Sequence, residues 1–333
     1  MYPNSASSGS SAQFSVPRLT GTRPVAVMRR RSLRLWLRDN GAPLLMCMPG
    51  ILLLLVFAYI PMFGIIIAFK EYRFDQGIFG SKWIGLYNFK FLFSSAVAAR
   101  ITRNTVGYFF LFTITGTIAS LAVALLMNEV QGSFRARFYQ SAMFLPYFIS
   151  YIIVTYFVYA FLNLDTGMLN RILVRFGMQP IRWYSDARFW PSVFTIVQIW
   201  KGTGYGSLLY LAVMLGISPE YYEAAKIDGA TKWKQIWHIT LPMLVPIIII
   251  QLLLSVGSMF RANFGLFYNV PLDRSALYPV TDVIDTFVYR ALAKSGDMGM
   301  SAAVGVYQSV VGFVLVLVSN WAVRRIDPDR ALF

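Results

Sequence analysis

The chain has 333 residues, of which 57% are hydrophobic and 14% are charged, and its formal net charge is +15. A chain of this length with so few charges cannot cover a packed core with a water-solvated surface, so the composition excludes a soluble protein and predicts a membrane protein. The positive charge could also indicate nucleic-acid binding, but the cations lie near the ends of apolar segments, where anionic lipid headgroups would meet them, and we favour lipid.

Six apolar runs, each long enough to cross a bilayer, recur along the chain. A hydrocarbon layer about 30 Å thick needs about 20 helical residues. Strands of a membrane barrel would alternate apolar and polar residues, and these runs do not alternate. The sequence therefore predicts an all-α integral membrane protein with six transmembrane helices, at Leu44 to Phe69, Thr105 to Met127, Tyr139 to Leu162, Phe189 to Leu215, Leu241 to Phe260 and Ser301 to Val323.

A tail of residues 1–43 precedes the first run and predicts the orientation of the protein. Its first half is small and polar and is predicted to be disordered, whereas its second half is rich in arginine. Positive residues beside the first span favour a cytoplasmic N-terminus. After a membrane domain of residues 44–325, the six crossings return the C-terminal tail, residues 326–333, to the cytoplasm. The loops on the other side carry nearly as many cations, so the orientation depends on the tail.

The sequence lacks the residues that metal, redox, nucleotide-binding and ion-coupling sites usually need. Cys47 is the single cysteine, no Cys/His cluster has metal-ligand spacing, and His238 is assigned no role. No Gly-rich loop has the pattern that holds nucleotide phosphates. The six runs contain no interior acid, on which ion-coupled carriers usually depend. We therefore predict no cofactor in this chain. An ion-coupled carrier or channel is the main alternative function, and a membrane enzyme acting on a lipid-linked substrate is a weaker one.

A polar, charged segment, residues 218–240, separates the fourth and fifth runs. Ser218 is a good N-cap, Pro219 suits the first helical position, and Gly229 suits the end of the same helix. A second short helical piece follows, and Thr240 can cap the fifth span with Pro242 near its start. The pattern predicts a rigid elbow of two short helices. An amphipathic loop lying on the headgroups would explain the local pattern equally well.

The elbow also carries a motif that resembles a known family. The residues at fixed spacing are similar to the cytoplasmic signature of binding-protein-dependent ABC importer permeases, and they are Glu223, Ala224, Ala225, Gly229, Ile239, Leu241 and Pro242. Two further segments, Trp200-Lys201-Gly202 and Asp282 to Arg290, resemble the sugar-importer branch of the maltose-permease superfamily, which takes up oligosaccharides and polysaccharides. The resemblance covers Leu44 to Arg325.

The resemblance implies a type I importer with several subunits. Two permeases, usually distinct, would pair in the bacterial inner membrane above two cytoplasmic ATPases, and an extracytoplasmic solute-binding protein would deliver the solute. ATP and magnesium would bind to the partner ATPases, and this chain would not be an enzyme. The elbow would seat in a groove of an ATPase, with Ala224 and Ala225 as its small face, Glu223 as a charged contact and Gly229 as the turn. The loop after the third run is too short for the large external domain of maltose-type subunits.

Cations inside or beside the apolar runs suggest where the solute passes. Lys201 falls near the middle of the fourth run, where a charge costs about 3 kcal/mol. It is expected to line a wet passage or, alternatively, to bond a carbonyl at the permease interface. Arg261 could line the same passage or anchor the end of the fifth span. The polar and aromatic residues expected beside these two cations are Gln198, Trp200, Tyr205 and Asn263.

Two features refine this predicted path. The cations without interior acids favour an anionic oligosaccharide, and the narrowest prediction is an alginate-type uronate chain. Three glycines of the fourth run, Gly202, Gly204 and Gly206, are expected to allow a kink or close helix packing.

Overall fold

The structure, a computed structural model, describes residues 33–130 and 134–327, without the side chains of residues 33–40, 134–136 and 326. Within these residues the regular secondary structure is helical apart from one short hairpin, β1 (Lys70–Glu71) and β2 (Lys82–Trp83), in which Lys70 lies opposite Trp83. The all-α prediction is confirmed. The predicted tail disorder and the arginines before residue 33 lie outside the described residues, and the division at 43 and 325 stays a prediction.

Backbone contacts divide the chain into two units, residues 1–61 and 62–333. The described part of the first unit is a helical stretch composed of α1 (Leu33–Leu54), a π-helical turn (Leu55–Tyr59) and the start of α2 (Ile60–Met62). Apolar side chains such as Leu53 and Phe57 stand exposed along it. A helix that is apolar on all sides is suited to a lipid environment.

The second unit contains the remaining elements. After a 3₁₀ segment (Phe63–Phe69) and the hairpin, its helices are α3 (Gly77–Gly80), α4 (Lys90–Ser94), α5 (Ala96–Glu129), α6 (Phe134–Phe148), α7 (Tyr151–Leu162), α8 (Met168–Arg175), α9 (Trp190–Leu215), α10 (Pro219–Ile227), α11 (Lys232–Gln235), α12 (Leu241–Val256), α13 (Tyr278–Thr281), α14 (Ile284–Ser295) and α15 (Met298–Ile326).

Four helical stretches of the described residues are long and apolar enough to cross a membrane, namely Gly41–Phe69, Ala96–Glu129, Lys232–Val256 and Met298–Arg325. The α6–α7 pair is a fifth candidate if it counts as one span, although it is bent by 97°. With 26 residues, α9 is long enough, but it contains a lysine, a glutamine and three glycines and is not among these four. The exact count of six spans therefore stays a prediction.

Close packing between helices occurs at glycines of α9, as the sequence predicted. A Cβ on Gly206 would lie 2.5 Å from Ser120 Oγ of α5, and one on Gly204 would lie 1.9 Å from the Met143 carbonyl oxygen of α6. Gly202 meets nothing closer than 3.9 Å. The helix itself continues without a break, so these glycines serve packing rather than a kink.

Three apolar clusters fill the second unit. The largest one joins α5, α7 and α9 to the segment after α12, and its centre includes Trp190, Phe194 and Leu266, all 0% exposed. The second cluster joins α5, α9 and α12 through residues such as Tyr210 and Leu244. The third joins α5, α14 and α15 and consists of Ile101, Ile284 and Val304. The second cluster therefore ties together the two helices, α9 and α12, that border the elbow.

The third and fifth predicted runs differ from the helices of the structure. The third run is broken at Ser150, whose Oγ accepts from the Ile153 N–H and begins α7 as a separate helix. The fifth run is helical from Lys232 and ends at Val256. Thr240 does not cap it, because its hydroxyl is 3.0 Å from the Tyr222 hydroxyl and its backbone is already helical. A π-helical turn, Ile236–Thr240, carries the chain into α12.

Candidate coupling elbow and translocation path

The elbow begins with the helix α10, as its sequence predicts. The Ser218 hydroxyl accepts from the Glu220 N–H at 3.4 Å, and Pro219 occupies the first turn, where its missing N–H costs nothing. Glu220 lies in the same turn, where a carboxylate is favourable beside the positive end of the helix dipole. The start of α10 is therefore set by local sequence.

The turn after α10 requires a glycine. Gly229 has φ +77°, which side-chain-bearing residues rarely adopt. The Ala230 N–H donates to the Ala225 carbonyl at 2.8 Å, and the Gly229 N–H donates to the Lys226 carbonyl at 3.1 Å. These two bonds form a Schellman motif, which satisfies the last carbonyls of the helix and fixes the direction of the chain.

Three side-chain contacts hold the elbow in place. Lys232 Nζ lies 2.8 and 3.0 Å from the Glu129 carboxylate at the end of α5. The Gln235 side chain, which is buried, donates to the Ala230 carbonyl at 3.1 Å, and Tyr222 contacts Thr240. A cavity of about 350 Å³ lies between α5 and the elbow. The elbow is thus connected directly to the end of a long helix.

The face of α10 that is predicted to bind an ATPase is exposed. Glu223 and Ala224 are exposed, Ala225 is half-buried, and Ile227 is 86% exposed. The remaining motif residues occupy the continuous helix that follows, where Ile239 and Leu241 are half-buried and Pro242 is exposed. The motif therefore has an exposed part on α10 and a packed part that joins the elbow to α12.

Lys201 lies beside the break between α6 and α7. Its side chain is buried, at 8% exposure, and its Nζ donates to the carbonyl oxygens of Pro146 at 3.1 Å, Tyr147 at 2.6 Å and Ile149. This arrangement corresponds to the carbonyl alternative of the sequence analysis, except that the carbonyls belong to the same chain. Direct contact of Lys201 with solute stays a prediction.

Tyr151, which the sequence analysis did not identify, connects two of the predicted path residues. Its hydroxyl lies 3.4 Å from Gln198 Oε1 on α9 and accepts from the Asn263 side-chain amide at 3.1 Å. Tyr147, on the other side of the break, stacks on Tyr205 with ring centroids 4.4 Å apart. Trp200, which lies on α9 with Tyr205, is 43% exposed. No local sequence signal distinguishes these two tyrosines from the other aromatic residues of the run.

Arg261 lies in the non-helical segment after α12. Its guanidinium donates to the Ser309 hydroxyl of α15 at 3.3 Å, and the side chain is exposed. The neighbouring Ala262 N–H donates to the Asp285 carboxylate at 2.6 Å, which holds this segment against α14. Burial raises the pKa of Asp285, and the Ala262 hydrogen bond opposes that shift. Arg261 and Asn263 are only two residues apart in the sequence, but their side chains bond to different helices, α15 and α7.

A buried ion-pair network connects α14 to α5. The Asp282 carboxylate, 3% exposed, pairs with Arg290 and with Arg100 of α5. Arg290 also pairs with Asp273 at 2.9 Å, and its guanidinium lies 4.2 Å from the centroid of the Tyr278 ring. Asp282 and Arg290 are the first and last residues of a segment that resembles the sugar-importer branch, but no sequence pattern indicated that they pair with each other.

Comparisons with known proteins agree with this arrangement. The profile of the family described as "Binding-protein-dependent transport system inner membrane component" matches residues 113–330. The chain is 34% identical to the polygalacturonan/rhamnogalacturonan transport system permease protein YteP of Bacillus subtilis (strain 168), over 90% of this chain and 93% of that protein. It is 36% identical to protein LplB of the same organism, over 88% of this chain and 91% of that one.

The fold is similar to that of a solved transporter. A chain in the crystal structure of a bacterial alginate ABC transporter, in complex with an alginate pentasaccharide-bound periplasmic protein, matches with a TM-score of 0.79 and 32% identity. The match covers 88% of this chain and 98% of that chain. The present chain belongs to the family of binding-protein-dependent transport system inner membrane components. It is therefore a multi-pass permease subunit of an ABC importer, as the elbow motif implied.

Proposed function

We propose that this chain forms half of a path through which an oligosaccharide, delivered by an extracytoplasmic solute-binding protein, enters the cell. The observation that carries this proposal is the elbow, where Glu223 and Ala224 stand exposed on a short helix that the rest of the chain holds in place. An exposed, rigid helix with a small face is suited to a groove in another protein.

The partners follow from that role. Two cytoplasmic ATPases bind ATP and magnesium and supply the energy, and this chain has no catalytic activity of its own. A second, distinct permease completes the path. The elbow and both termini lie in the cytoplasm, with the chain crossing the inner membrane six times, which agrees with the arginine-rich tail.

Coupling would work by rigid-body motion. Closure of the ATPase pair displaces α10, and the Gly229 turn together with the Lys232–Glu129 and Tyr222–Thr240 contacts transmits the displacement to α5 and α12. Glu223 provides the charged contact, and Ala224 and Ala225 provide the small face. Alternating access then results from movement of the two permeases against each other.

Support for an acidic oligosaccharide comes from the relatives and from the path. YteP is named for polygalacturonan and rhamnogalacturonan, and the solved transporter for alginate. In this chain, the side chains suited to stacking on sugars and bonding their hydroxyls are Gln198, Trp200, Tyr205 and Asn263, and Arg261 is an exposed cation two residues before Asn263. Since Lys201 already bonds three carbonyls, Arg261 is the better candidate for a uronate contact.

The elbow is tested with bulky substitutions at two exposed alanines. In the complete transporter in proteoliposomes, Ala224→Trp on α10 is expected to reduce ATPase co-purification and to lower substrate-stimulated ATP hydrolysis by about tenfold or more. Glu223→Ala should lower stimulation to a smaller degree. Ala293→Trp on α14 is the matched control. Full stimulation in the Ala224→Trp variant would contradict the assignment of α10.

The substrate class is tested by uptake. Neutral and uronic oligosaccharides are compared in the wild type, in Arg261→Gln and in Arg103→Gln, a control that removes an exposed cation of α5. We expect Arg261→Gln to lower uptake of the uronic chain by about tenfold relative to the neutral one. An unchanged ratio would remove Arg261 from the path, and absence of uptake of any carbohydrate would overturn the substrate class.

A further inference from the structure

The break between α6 and α7 exposes a set of backbone carbonyls inside an apolar region. The last carbonyls of a helix have no partner within that helix. Here α6 ends at Phe148, α7 begins at Tyr151, and the two helices meet at 97°. Because a bilayer offers no water to these groups, a break of this kind needs partners from the protein.

Lys201 supplies donors to three of these carbonyls from the middle of α9, and the Pro146 carbonyl also accepts from the Ile149 N–H at 3.2 Å. An ammonium group has three donors and no acceptor, and its three hydrogen bonds, to Pro146, Tyr147 and Ile149, use all of them. The positive charge also lies at the C-terminal end of α6, where the helix dipole favours a cation. A solute carboxylate could approach this Nζ only by displacing one of the carbonyls.

Tyr147 and Tyr151 lie on either side of the break, and both contact residues of the predicted path. Tyr147 belongs to the last turn of α6, its carbonyl is bonded by Lys201, and its ring stacks on Tyr205. Tyr151 opens α7 and bonds Gln198 and Asn263. The Lys201 Nζ lies 5.7 Å from the first ring centroid and 5.1 Å from the second. The direction of both rings therefore depends on the geometry of the break.

The packing around Tyr151 leaves its ring little freedom. A Cβ on Gly265 would lie 2.8 Å from the Tyr151 ring, so the chain after α12 approaches that ring directly. A change in the α6–α7 angle would move the ring against this backbone and separate its hydroxyl from Asn263.

We propose that Lys201 is a positioning residue that fixes the α6–α7 break and, through it, the orientation of Tyr147 and Tyr151 in the translocation path. It acts on the solute only through these tyrosines. This inference rests on the proposed function for its effect on transport, but its structural part can be measured without any solute.

The structural part is tested by amide hydrogen exchange in the complete, detergent-purified transporter. Lys201→Met keeps an unbranched side chain and removes all three donors. We expect exchange of the amides in residues 147–155 to increase by about tenfold or more, because three hydrogen bonds to a charged group are lost. Lys201→Arg keeps a charge and several donors, so it should retain much of the wild-type protection at 147–155. It is the variant to measure if Lys201→Met does not assemble with its partners. Lys90→Met, at an exposed lysine, is the control. Unchanged exchange at 147–155 in an assembled Lys201→Met transporter, or full exchange there in Lys201→Arg, would overturn the inference.

The transport part is tested by a double-mutant cycle in proteoliposomes. Lys201→Met and Tyr151→Phe are each expected to raise the half-saturating concentration of the binding-protein-delivered oligosaccharide by about tenfold. The double variant should be no worse than the more severe single one, because both act through the same ring. Neutral and uronic oligosaccharides should be affected alike. If the two substitutions instead raise the half-saturating concentration additively, and only for uronic oligosaccharides, Lys201 contacts the solute charge directly and the inference is overturned. If no oligosaccharide is carried, the substrate proposal fails while the exchange result still decides the role of Lys201.

Discussion

A Cβ on Gly204 would lie 1.9 Å from the carbonyl oxygen of Met143, so α9 and α6 pack backbone to backbone at this point. The contact lies one turn from Lys201, and it lets the lysine reach the carbonyls at the end of α6. Any side chain at position 204 must push the two helices apart.

Gly204→Ala is therefore expected to lower the stability of the protein by about 2 kcal/mol or more, as overpacking does in tight interiors. The measurement is the midpoint of thermal unfolding in detergent. Gly202→Ala, two residues earlier in the same helix, meets only Gln198 Nε2 at an ordinary contact distance of 3.9 Å and should be neutral or slightly stabilising. Equal unfolding midpoints for these two variants would contradict the close contact between α6 and α9 at Gly204.

Gly229 is expected to matter for coupling beyond its effect on stability. Alanine at φ +77° costs about 1 kcal/mol. Gly177 is exposed, has φ +75° and is distant in sequence from the elbow, so an alanine there has the same backbone strain and serves as the control. We expect both alanine variants to lose similar stability, whereas only Gly229→Ala lowers substrate-stimulated ATP hydrolysis. A similar loss of stimulation in Gly177→Ala would attribute the effect to stability alone. Gly229→Asp should have the same effect as Gly229→Ala.

The Asp282 carboxylate is expected to be needed for stability because it neutralises two arginines in a buried position. Asp282→Asn leaves Arg290, 13% exposed, with weaker compensation and should lower the free energy of unfolding by about 3 kcal/mol. Asp75→Asn disrupts an ion pair whose two side chains are both 61% exposed, and it should have no measurable effect. Thermal unfolding in detergent distinguishes the two outcomes, and an unchanged midpoint for Asp282→Asn would contradict the buried network.

Asn170 fixes the loop between α7 and α9. Its side chain is buried and makes hydrogen bonds to the Asn163, Leu164 and Ile181 carbonyls, the Ile181 N–H and the Trp183 indole N–H. Asn170→Ala should destabilise the protein by at least about 2 kcal/mol, because several buried partners lose their bonds. Gln179→Ala, exposed in the same loop, is the control. Limited proteolysis within 163–188 should increase only in the Asn170 variant.

Much of the elbow could be predicted from the sequence because its structure is local. Ser218, Pro219 and Gly229 set the two ends of α10 by bonds that reach only a few residues. Thr240 was misassigned for the opposite reason, since its hydroxyl meets Tyr222, 18 residues earlier in the chain, and the helix simply continues.

The long apolar helices, the elbow turn and the family signature were determined by the sequence itself, because hydropathy, capping and glycine dihedrals depend on neighbouring residues. Only the tertiary structure decided the partners of the charged and polar groups. Lys201 reaches carbonyls more than 50 residues away, and Arg100 reaches Asp282 across 182 residues. Such contacts depend on how helices pack, and for a buried charge the packing alone determines whether it faces a passage or bonds the backbone.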